Sequence, residues 1–375
     1  MKVLLIYLLL VGCAAYEQKC SEEIEKCTSV ETNLERARCL SIPEAVGTQN
    51  AEFENDAFWD ENGSLLQKAW REFETERART LSGFSDDIID EGLMDVSLSQ
   101  AIDNAFASPC EETESTVKSY WTNYSSSGQI LPKGVYATKL LSPAGVSYLR
   151  QLLDLASESG IPTRRPNGMN RYGVILDRNV EGAVPLQGLT NAVEQIVDRI
   201  VRPVGRLLYQ NRIGCEDDVE YYAFTITYEG ASSSSLSKDV ELKEHRDASV
   251  VTLNVNLNLP EEDYGGSEVF FRGYPNADDS NSDLFTTEED GGGTVTFSPG
   301  TAVIHLGAHR HGSMPIKAST DNEQMSGKRM NLVIWLFGKH GDVRIAPYAK
   351  EEQLTAKQRW HDCNGKYRIV AFNTT

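Results

Sequence analysis

The clearest indication of the fold of this chain is the segment His245-Arg-Asp-Ala-Ser-Val-Val-Thr-Leu-Asn-Val-Asn-Leu-Asn-Leu259. From Val251 to Leu259 every second residue is apolar, and the residues between are threonine or asparagine. Strict alternation of this kind is typical of a β-strand with one apolar and one polar face. The His245-x-Asp247 pair lies just before this strand, so two side chains that can bind a metal are placed at its start.

Further short apolar segments occur on both sides of this strand, and glycine-rich turns such as Tyr264-Gly-Gly266 separate them. Several short strands joined by such turns indicate an antiparallel sandwich or barrel, and a jelly roll fits the pattern. We predict strands over Tyr221–Tyr228, Val251–Leu259, Ser267–Arg272, Thr294–Phe297, Thr301–Leu306 and Asn331–Phe337.

Helical patterns precede the strands. Ser142 followed by Pro143 is typical of a helix start, and Gly160-Ile-Pro162 of its end. A second helix is predicted from about Leu189 to Leu208, and Pro203 is expected to kink or break it, because proline lacks a backbone N–H. The predicted fold class is therefore α+β, a jelly roll with flanking helices.

The first third of the chain has a different character. Residues 16–130 are acidic, mostly helical in pattern and free of recognisable chemistry, which favours a capping or partner-binding region. The segment Tyr124-Ser-Ser-Ser-Gly128 has the composition of a linker. We predict a signal peptide over 1–15, this helical region over 16–130, the jelly-roll domain over 131–345 and a tail over 346–375.

Composition limits the partners. The 375 residues carry a formal net charge of −19, with 55 acidic and 36 basic residues. Binding to a phosphate backbone requires concentrated lysine and arginine, so a nucleic-acid partner is disfavoured.

The amino terminus indicates secretion. Lys2, the apolar run Val3–Val11 and the small residues Gly12-Cys-Ala-Ala15 follow the order of a signal peptide. The run is short for a membrane span, which needs about 20 apolar residues; an uncleaved anchor or an organelle-targeting prefix are the alternatives. Removing Cys13 leaves six cysteines, an even number suited to disulfides, and sequons occur at Asn62, Asn123 and Asn373. We expect a glycoprotein of the endoplasmic reticulum lumen or the exterior, with no stable membrane span.

The candidate chemistry lies in the predicted sheet. His245 and Asp247 are spaced so that both side chains project to one face at a strand end. With a distal histidine from another strand they form the two-histidine, one-carboxylate triad of non-haem Fe(II) oxygenases. We favour His311 over His305 and His309, because Gly312 and Pro315 mark a turn that presents it. The other two histidines are expected to pack or to hydrogen-bond the ligands.

Arg329 opens the last strong strand. A guanidinium there is suited to clamp the far carboxylate of a dicarboxylate co-substrate such as 2-oxoglutarate, although a surface salt bridge is the plain alternative. Tyr228 either hydrogen-bonds the same carboxylate or is a buried core tyrosine. Asn254 and Asn256 either line the pocket or face water.

Four segments, Arg165–Asp177, Ala223–Tyr228, His245–Leu257 and Gly300–Gly307, resemble the 2-oxoglutarate- and iron-dependent oxygenase-domain proteins of the prolyl 4-hydroxylase superfamily. The stretch from His245 to Gly266 is also similar to the catalytic domain of procollagen lysyl hydroxylases. The resemblance covers about 131–340.

That resemblance implies a double-stranded β-helix fold, with His245, Asp247 and His311 as iron ligands and Arg329 as the co-substrate arginine. It also implies L-ascorbate as the reductant that rescues oxidised iron. The expected activity is hydroxylation of a C–H bond with O2, in a prolyl or lysyl side chain of a secretory-pathway polypeptide. The alternatives are a small-molecule hydroxylase and a catalytically silent jelly-roll binding module.

Overall fold

The computed structural model describes residues 31–40, 56–84, 88, 92–107, 111–122, 130–170, 172–177, 180–209, 221–229, 239–259, 262, 264–273, 292–296, 298–317, 327–336, 343–345 and 369–371. The predicted signal peptide, the predicted linker, nearly all of the predicted tail, and the sequons at Asn123 and Asn373 lie outside these residues.

Thirteen strands are found in the described part of the chain. They are β1 (Tyr136–Lys139), β2 (Tyr221–Glu229), β3 (Leu242–His245), β4 (Val251–Asn256), β5 (Gly265–Gly266), β6 (Val269–Arg272), β7 (Gly293–Val295), β8 (Thr301–Leu306), β9 (Arg310–Ser313), β10 (Ile316–Lys317), β11 (Lys328–Leu336), β12 (Val343–Ile345) and β13 (Ile369–Ala371).

Two antiparallel sheets make up the sandwich. The larger has the order β1-β8-β4-β11-β2 and the smaller the order β3-β9-β6-β7. Two short pairs, β10-β5 and the parallel β12-β13, lie beside them. This architecture confirms the predicted jelly roll with flanking helices.

The alternating residues of β4 lie on two different faces of the strand, as predicted, but the polar face points toward the space between the two sheets and not toward solvent. Val251, Leu253 and Val255 pack into the core shared with the helices. Thr252 and Asn254 lie on the other face and line a cavity between the two sheets. The polar residues of this strand therefore face the candidate site, because the apolar face is used by the helical layer.

Several strand ends differ from the prediction. β4 ends at Asn256, because the side-chain oxygen of Asn256 accepts the backbone N–H of Asn258 at 2.8 Å and turns the chain. β6 begins only at Val269, since Ser267 has a φ of 59° and cannot extend the strand. The sequence patterns also missed β1, β3 and β9, which are four residues each and too short for a clear period.

The described helices are α1 (Asn33–Cys39), α2 (Asp56–Glu76), α3 (Ala78–Leu81), α4 (Val96–Ala107), α5 (Glu111–Thr122), α6 (Pro143–Glu158), α7 (Gln187–Ile196) and α8 (Arg202–Leu208). Helix α6 begins as predicted, with the Ser142 hydroxyl accepting the Gly145 N–H at 3.1 Å. A π-helical turn over Val197–Val201 separates α7 from α8, so the predicted break near Pro203 is found. None of the described helices is long and apolar enough to cross a membrane.

The amino-terminal helices share one core with the sheet. Trp59, Phe73 and Trp121 belong to the same buried cluster as Leu149 of α6 and Leu253 of β4. Backbone bonds join the regions, with Asp95 N–H donating to Leu140 O at 2.9 Å and Ser142 N–H to Leu93 O at 3.0 Å. The division near residue 130 stays a prediction, but the described helices on its two sides are packed together. Cys39, at the end of α1, is disulfide-bonded, and its partner lies outside the described residues.

The packing of the amino-terminal helices against α6 can be tested by replacing Gly145 with alanine. A Cβ at Gly145 would overlap the carbonyl oxygen of Leu93. We expect the free energy of unfolding to fall by about 1–3 kcal/mol, the usual cost of overpacking. Gly63→Ala is the matched control, because the nearest atom to its Cβ is Glu181 Oε1 at 3.6 Å. If denaturant unfolding gave the same free energy for the two variants, the close contact between Gly145 and Leu93 would be contradicted.

Candidate active site

The smaller sheet brings the two predicted histidine ligands together. His245 is the last residue of β3, His311 lies on β9, and they are direct Cα partners across the antiparallel pair. Their ring centroids are 4.4 Å apart. The prediction that His311 sits in a turn was wrong, since it belongs to a short strand; its neighbour Gly312 packs closely on Phe270 within the same sheet.

Asp247 joins this pair from the segment after β3. Its backbone N–H donates to Gly307 O at 3.0 Å, which fixes the segment against the end of β8. Asp247 Oδ1 lies 3.3 Å from His245 Nε2, and Oδ2 lies 3.6 Å from His311 Nε2. One ligand atom from each of the three residues lies within 4.8 Å of the others. The structure therefore gathers the three predicted ligands at one point.

Hydrogen bonds set the tautomers of both histidines. His245 Nδ1 lies 2.8 Å from Lys243 O, and His311 Nδ1 lies 2.9 Å from His309 O. A carbonyl oxygen only accepts, so each Nδ1 carries a proton, and in the neutral imidazole Nε2 is the nitrogen that can bind a metal. Two imidazole nitrogens and a carboxylate that converge in this way form a donor set suited to a divalent cation.

The electrostatics agree with that donor set. Burial alone would raise the pKa of Asp247, but His311 and His245 outweigh it and hold the pKa of the carboxyl far below its usual range. Burial lowers the pKa of His311 to about 4, against the opposing attraction of Asp247. At neutral pH the carboxylate is therefore charged and the imidazole of His311 is neutral, which are the states that bind metal.

The other two histidines lie behind this cluster. His305 Nε2 is 4.0 Å from Asp247 Oδ2, and its ring centroid is 4.5 Å from that of His311. His309 is fully buried, with its ring 4.9 Å from the ring of Phe271. Phe271 also stacks on His311 at 5.6 Å, so this side of the cluster is closed by packing.

Arg329 is almost fully buried, at 2% exposure, so the alternative of a surface salt bridge is wrong. Its guanidinium donates to the Ser267 carbonyl, to Ser267 Oγ at 2.8 Å and to Ser313 Oγ at 3.2 Å. Its Nε donates to Asn331 Oδ1 at 3.0 Å, and Asn331 in turn donates to Asn254. Burial lowers the pKa of Arg329, yet arginine stays charged in proteins, so a fixed cation is held inside the sandwich.

Tyr228 lies directly beside this cation. It is the cross-strand partner of Arg329, whose guanidinium carbon is 5.0 Å from the centre of the phenol ring. The hydroxyl donates to Asn170 Oδ1 at 3.3 Å, and burial raises the pKa of the phenol. Tyr228 is therefore both a buried tyrosine and a wall of the cavity, and its bond to a co-substrate stays a prediction.

The metal cluster and Arg329 open onto one narrow cavity between the two sheets. Its polar wall includes Thr252, Asn254 and Ser313, while apolar and aromatic side chains form the rest: Met169, Phe224, Ile226, Leu242, Val269, Val333 and Trp335. The indole nitrogen of Trp335 is buried and meets no acceptor among the described residues.

Sequence reasoning missed several of these residues. Ser267 and Ser313 contact Arg329 from a turn and from β9, which no local pattern reveals. Met169 and Asn170 reach the cavity from an irregular segment. Thr252 had a signal, since it stands on the polar face of the alternating strand. Asn331 had one too, since it follows Arg329 by two residues in one strand, so both side chains project to the same face.

The fold and the site define a jelly-roll protein with a candidate two-histidine, one-carboxylate metal centre. No family model matches the chain. Three curated relatives are "2-oxoglutarate and iron-dependent oxygenase domain-containing" proteins. CP2 of Arabidopsis thaliana is 29% identical over 54% of this chain and 45% of its own length. ICU11 of the same plant is 32% identical over 46% of this chain and 36% of its own length, and protein 2 of Xenopus tropicalis is 26% identical over 61% and 56% of the two chains. The predicted resemblance to 2-oxoglutarate- and iron-dependent oxygenase-domain proteins is thus confirmed, and the match spans 36% to 56% of the length of these relatives.

Solved structures with some likeness include a prolyl-4-hydroxylase of Pseudomonas putida, with a TM-score of 0.36 and 12% identity over 64% of this chain and 99% of that one. A second is the "non-heme alpha ketoglutarate dependent carbocyclase SnoK", with a TM-score of 0.37 and 13% identity over 60% of this chain and 86% of that one.

Proposed function

We propose that this protein is an Fe(II)- and 2-oxoglutarate-dependent dioxygenase that hydroxylates a C–H bond. The observation that carries the proposal is the convergence of His245 Nε2, His311 Nε2 and the Asp247 carboxylate at one end of a cavity that also holds the buried cation of Arg329. A metal ion and a dianionic co-substrate together match these two features.

The residues present fit iron. Among the described residues three protein donors converge, two imidazoles and one carboxylate. This is the facial set of non-haem Fe(II) oxygenases, and it leaves positions for other ligands. When bound, Fe(II), 2-oxoglutarate and O2 supply an oxidation in which 2-oxoglutarate becomes succinate and CO2 and one oxygen atom enters the C–H bond. The carboxylate of Asp247 offsets part of the metal charge, and the closed packing behind His311 leaves the cavity as the approach to the site.

Arg329 orients the co-substrate in this proposal. Its guanidinium is held by Ser267, Ser313 and Asn331, so its plane is set before any ligand arrives. A preorganised arginine recognises a carboxylate with charge-assisted hydrogen bonds and needs little reorganisation. Tyr228, against the guanidinium, is placed to add a hydroxyl contact to the same carboxylate.

For the primary substrate we propose a prolyl or lysyl side chain in a polypeptide of the secretory pathway, with L-ascorbate as reductant. The disulfide at Cys39 supports an oxidising compartment. The apolar wall of the cavity suits a ring or a methylene chain, and the Trp335 N–H supplies a donor to an adjoining acceptor. A small-molecule hydroxylase of the same class is the alternative, as is a silent jelly-roll binding module.

Anaerobic titration tests the cofactor chemistry. We expect Fe(II) plus 2-oxoglutarate to produce a metal-to-ligand charge-transfer band in the wild-type protein, because the keto acid and the metal must be in contact. Fe(II) plus succinate, which lacks the keto group, is the matched control and should produce none. Removing the metal with a chelator should abolish the band. Iron-loaded protein that shows no band with 2-oxoglutarate would favour the silent binding module.

Substrate class is tested separately. We expect peptides that contain proline or lysine to stimulate succinate formation and to gain the mass of one oxygen atom. Matched peptides with alanine at that position serve as controls. A protein that shows the band and consumes 2-oxoglutarate, yet modifies no peptide, would support the small-molecule alternative.

A further inference from the structure

A buried chain of hydroxyl groups leads to the Asp247 carboxylate. Thr252 Oγ1 lies 2.6 Å from Asp247 Oδ2, and Ser249 Oγ lies 2.8 Å from Thr252 Oγ1. Asp247, Thr252 and Ser249 are 4%, 1% and 2% exposed, so water does not compete for these bonds. We call these two hydroxyl residues the Ser249–Thr252 relay.

The direction of the relay follows from the chemistry of its end. A carboxylate only accepts, so Thr252 donates to Oδ2. The single proton of the Thr252 hydroxyl is then used, and Thr252 Oγ1 accepts from Ser249. Each hydroxyl polarises the next, which strengthens the final bond in a site of low dielectric.

The surrounding backbone keeps the relay in place. Thr252 is paired with His305 of β8 and with Trp335 of β11, so it lies in the interior of the larger sheet. Gly307 accepts the Asp247 N–H and donates to Val250 O at 3.0 Å. A Cβ at Gly307 would overlap Ser249, so the segment that carries Ser249 is seated directly on the end of β8.

We propose that the Ser249–Thr252 relay is a positioning device that makes Asp247 a metal ligand through one oxygen. The bond from Thr252 uses one lone pair of Oδ2, the oxygen 3.6 Å from His311 Nε2, and weakens it as a donor. Oδ1, the oxygen 3.3 Å from His245 Nε2, is then the stronger metal donor. A carboxylate that gives only one oxygen leaves more of the metal's coordination sphere for a chelating co-substrate. The inference rests on the proposed function for the identity of the metal, but it concerns the metal-binding step alone.

The decisive variant is Thr252→Val, which keeps the shape of the side chain and removes the hydroxyl. We expect Fe(II) affinity to fall 10- to 100-fold, the usual effect of losing a partner of a ligand. Thr252→Ser should restore most of the affinity, because it returns the donor. Ser249→Ala should cost only a few-fold, since Thr252 still donates to Asp247.

Thr225→Val is the matched control. Thr225 is also a buried threonine of the larger sheet, 2% exposed, with its hydroxyl accepting the Val174 N–H at 3.0 Å. It is paired with Leu332, a core residue on the helix side of the sheet, so it lies away from the cavity. Its loss should lower the thermal stability of the metal-free protein without changing Fe(II) affinity.

Affinity is measured by anaerobic calorimetry, and the charge-transfer band with 2-oxoglutarate is recorded for each variant. The expected result is weaker Fe(II) binding and a shifted band in Thr252→Val, with rescue in Thr252→Ser and no change in Thr225→Val. Equal Fe(II) affinity and an unchanged band in Thr252→Val would overturn the relay alone. Absence of Fe(II) binding in the wild type would instead overturn the proposed function, so the two failures are distinguishable.

Discussion

His311→Ala is expected to lower 2-oxoglutarate turnover at least about a thousandfold, because a metal that stabilises charge by several kcal/mol is no longer held. The substitution removes one of the two imidazoles that the described part of the chain brings to the cluster, the one on the strand partner of His245. Turnover is measured as succinate formed at saturating Fe(II) and 2-oxoglutarate, alongside the charge-transfer band, which should be lost.

His309→Ala is the control for that experiment. This variant also replaces a histidine with alanine, at a fully buried position two residues before His311. His311 bonds the backbone carbonyl of residue 309, so the bond that sets its tautomer survives the substitution. We expect the band to remain. Retention of iron chemistry in His311→Ala together with its loss in His309→Ala would show that the wrong histidine has been assigned.

Arg329→Ala is expected to raise the concentration of 2-oxoglutarate needed for half-saturation by about a hundredfold or more, the usual loss when one partner of a buried charged pair is removed. The reason is that Arg329 donates from fixed positions set by Ser267 and Ser313. Arg329→Lys should recover only part of the affinity, since an ammonium cannot make the planar two-point contact.

A truncated co-substrate makes this prediction specific. 2-Oxobutyrate has the keto acid but lacks the far carboxylate, so the wild type should strongly prefer 2-oxoglutarate to it. Arg329→Ala should bind the two about equally. Arg199→Ala, which breaks an exposed pair with Asp103, should leave the preference unchanged. An unaltered preference in Arg329→Ala would place the far carboxylate elsewhere in the cavity.

Much of the site was accessible from local pattern. His245 and Asp247 are two residues apart, so backbone geometry alone brings them to one side of the chain, and the structure agrees. The alternation from Val251 predicted a strand for the same reason. Tyr228 was predicted from its place in a strand, and its contact with Arg329 depends on the pairing of β2 with β11.

Other features depended on pairing between distant strands. His311 was predicted to be the distal ligand because a turn was expected to present it. The structure instead places it in β9, opposite His245. The sequence left open whether Asn254 faces water or the pocket. In the structure Asn254 lines the cavity, because the helices cover the opposite face of its strand. The short strand β9 has no readable period, so no local signal could have positioned it.

The chemical groups and their local geometry follow from the sequence: a histidine–aspartate pair at the start of one strand, an arginine at the start of another, and a strand with two unlike faces. The packing of distant strands sets which histidine completes the cluster, which ring nitrogen bonds a backbone carbonyl, and how deeply Arg329 is buried. The physical reason is that periodicity acts between neighbours in the chain, whereas register, burial and hydrogen-bond partners arise when β3, β9, β4 and β11 pack around one cavity.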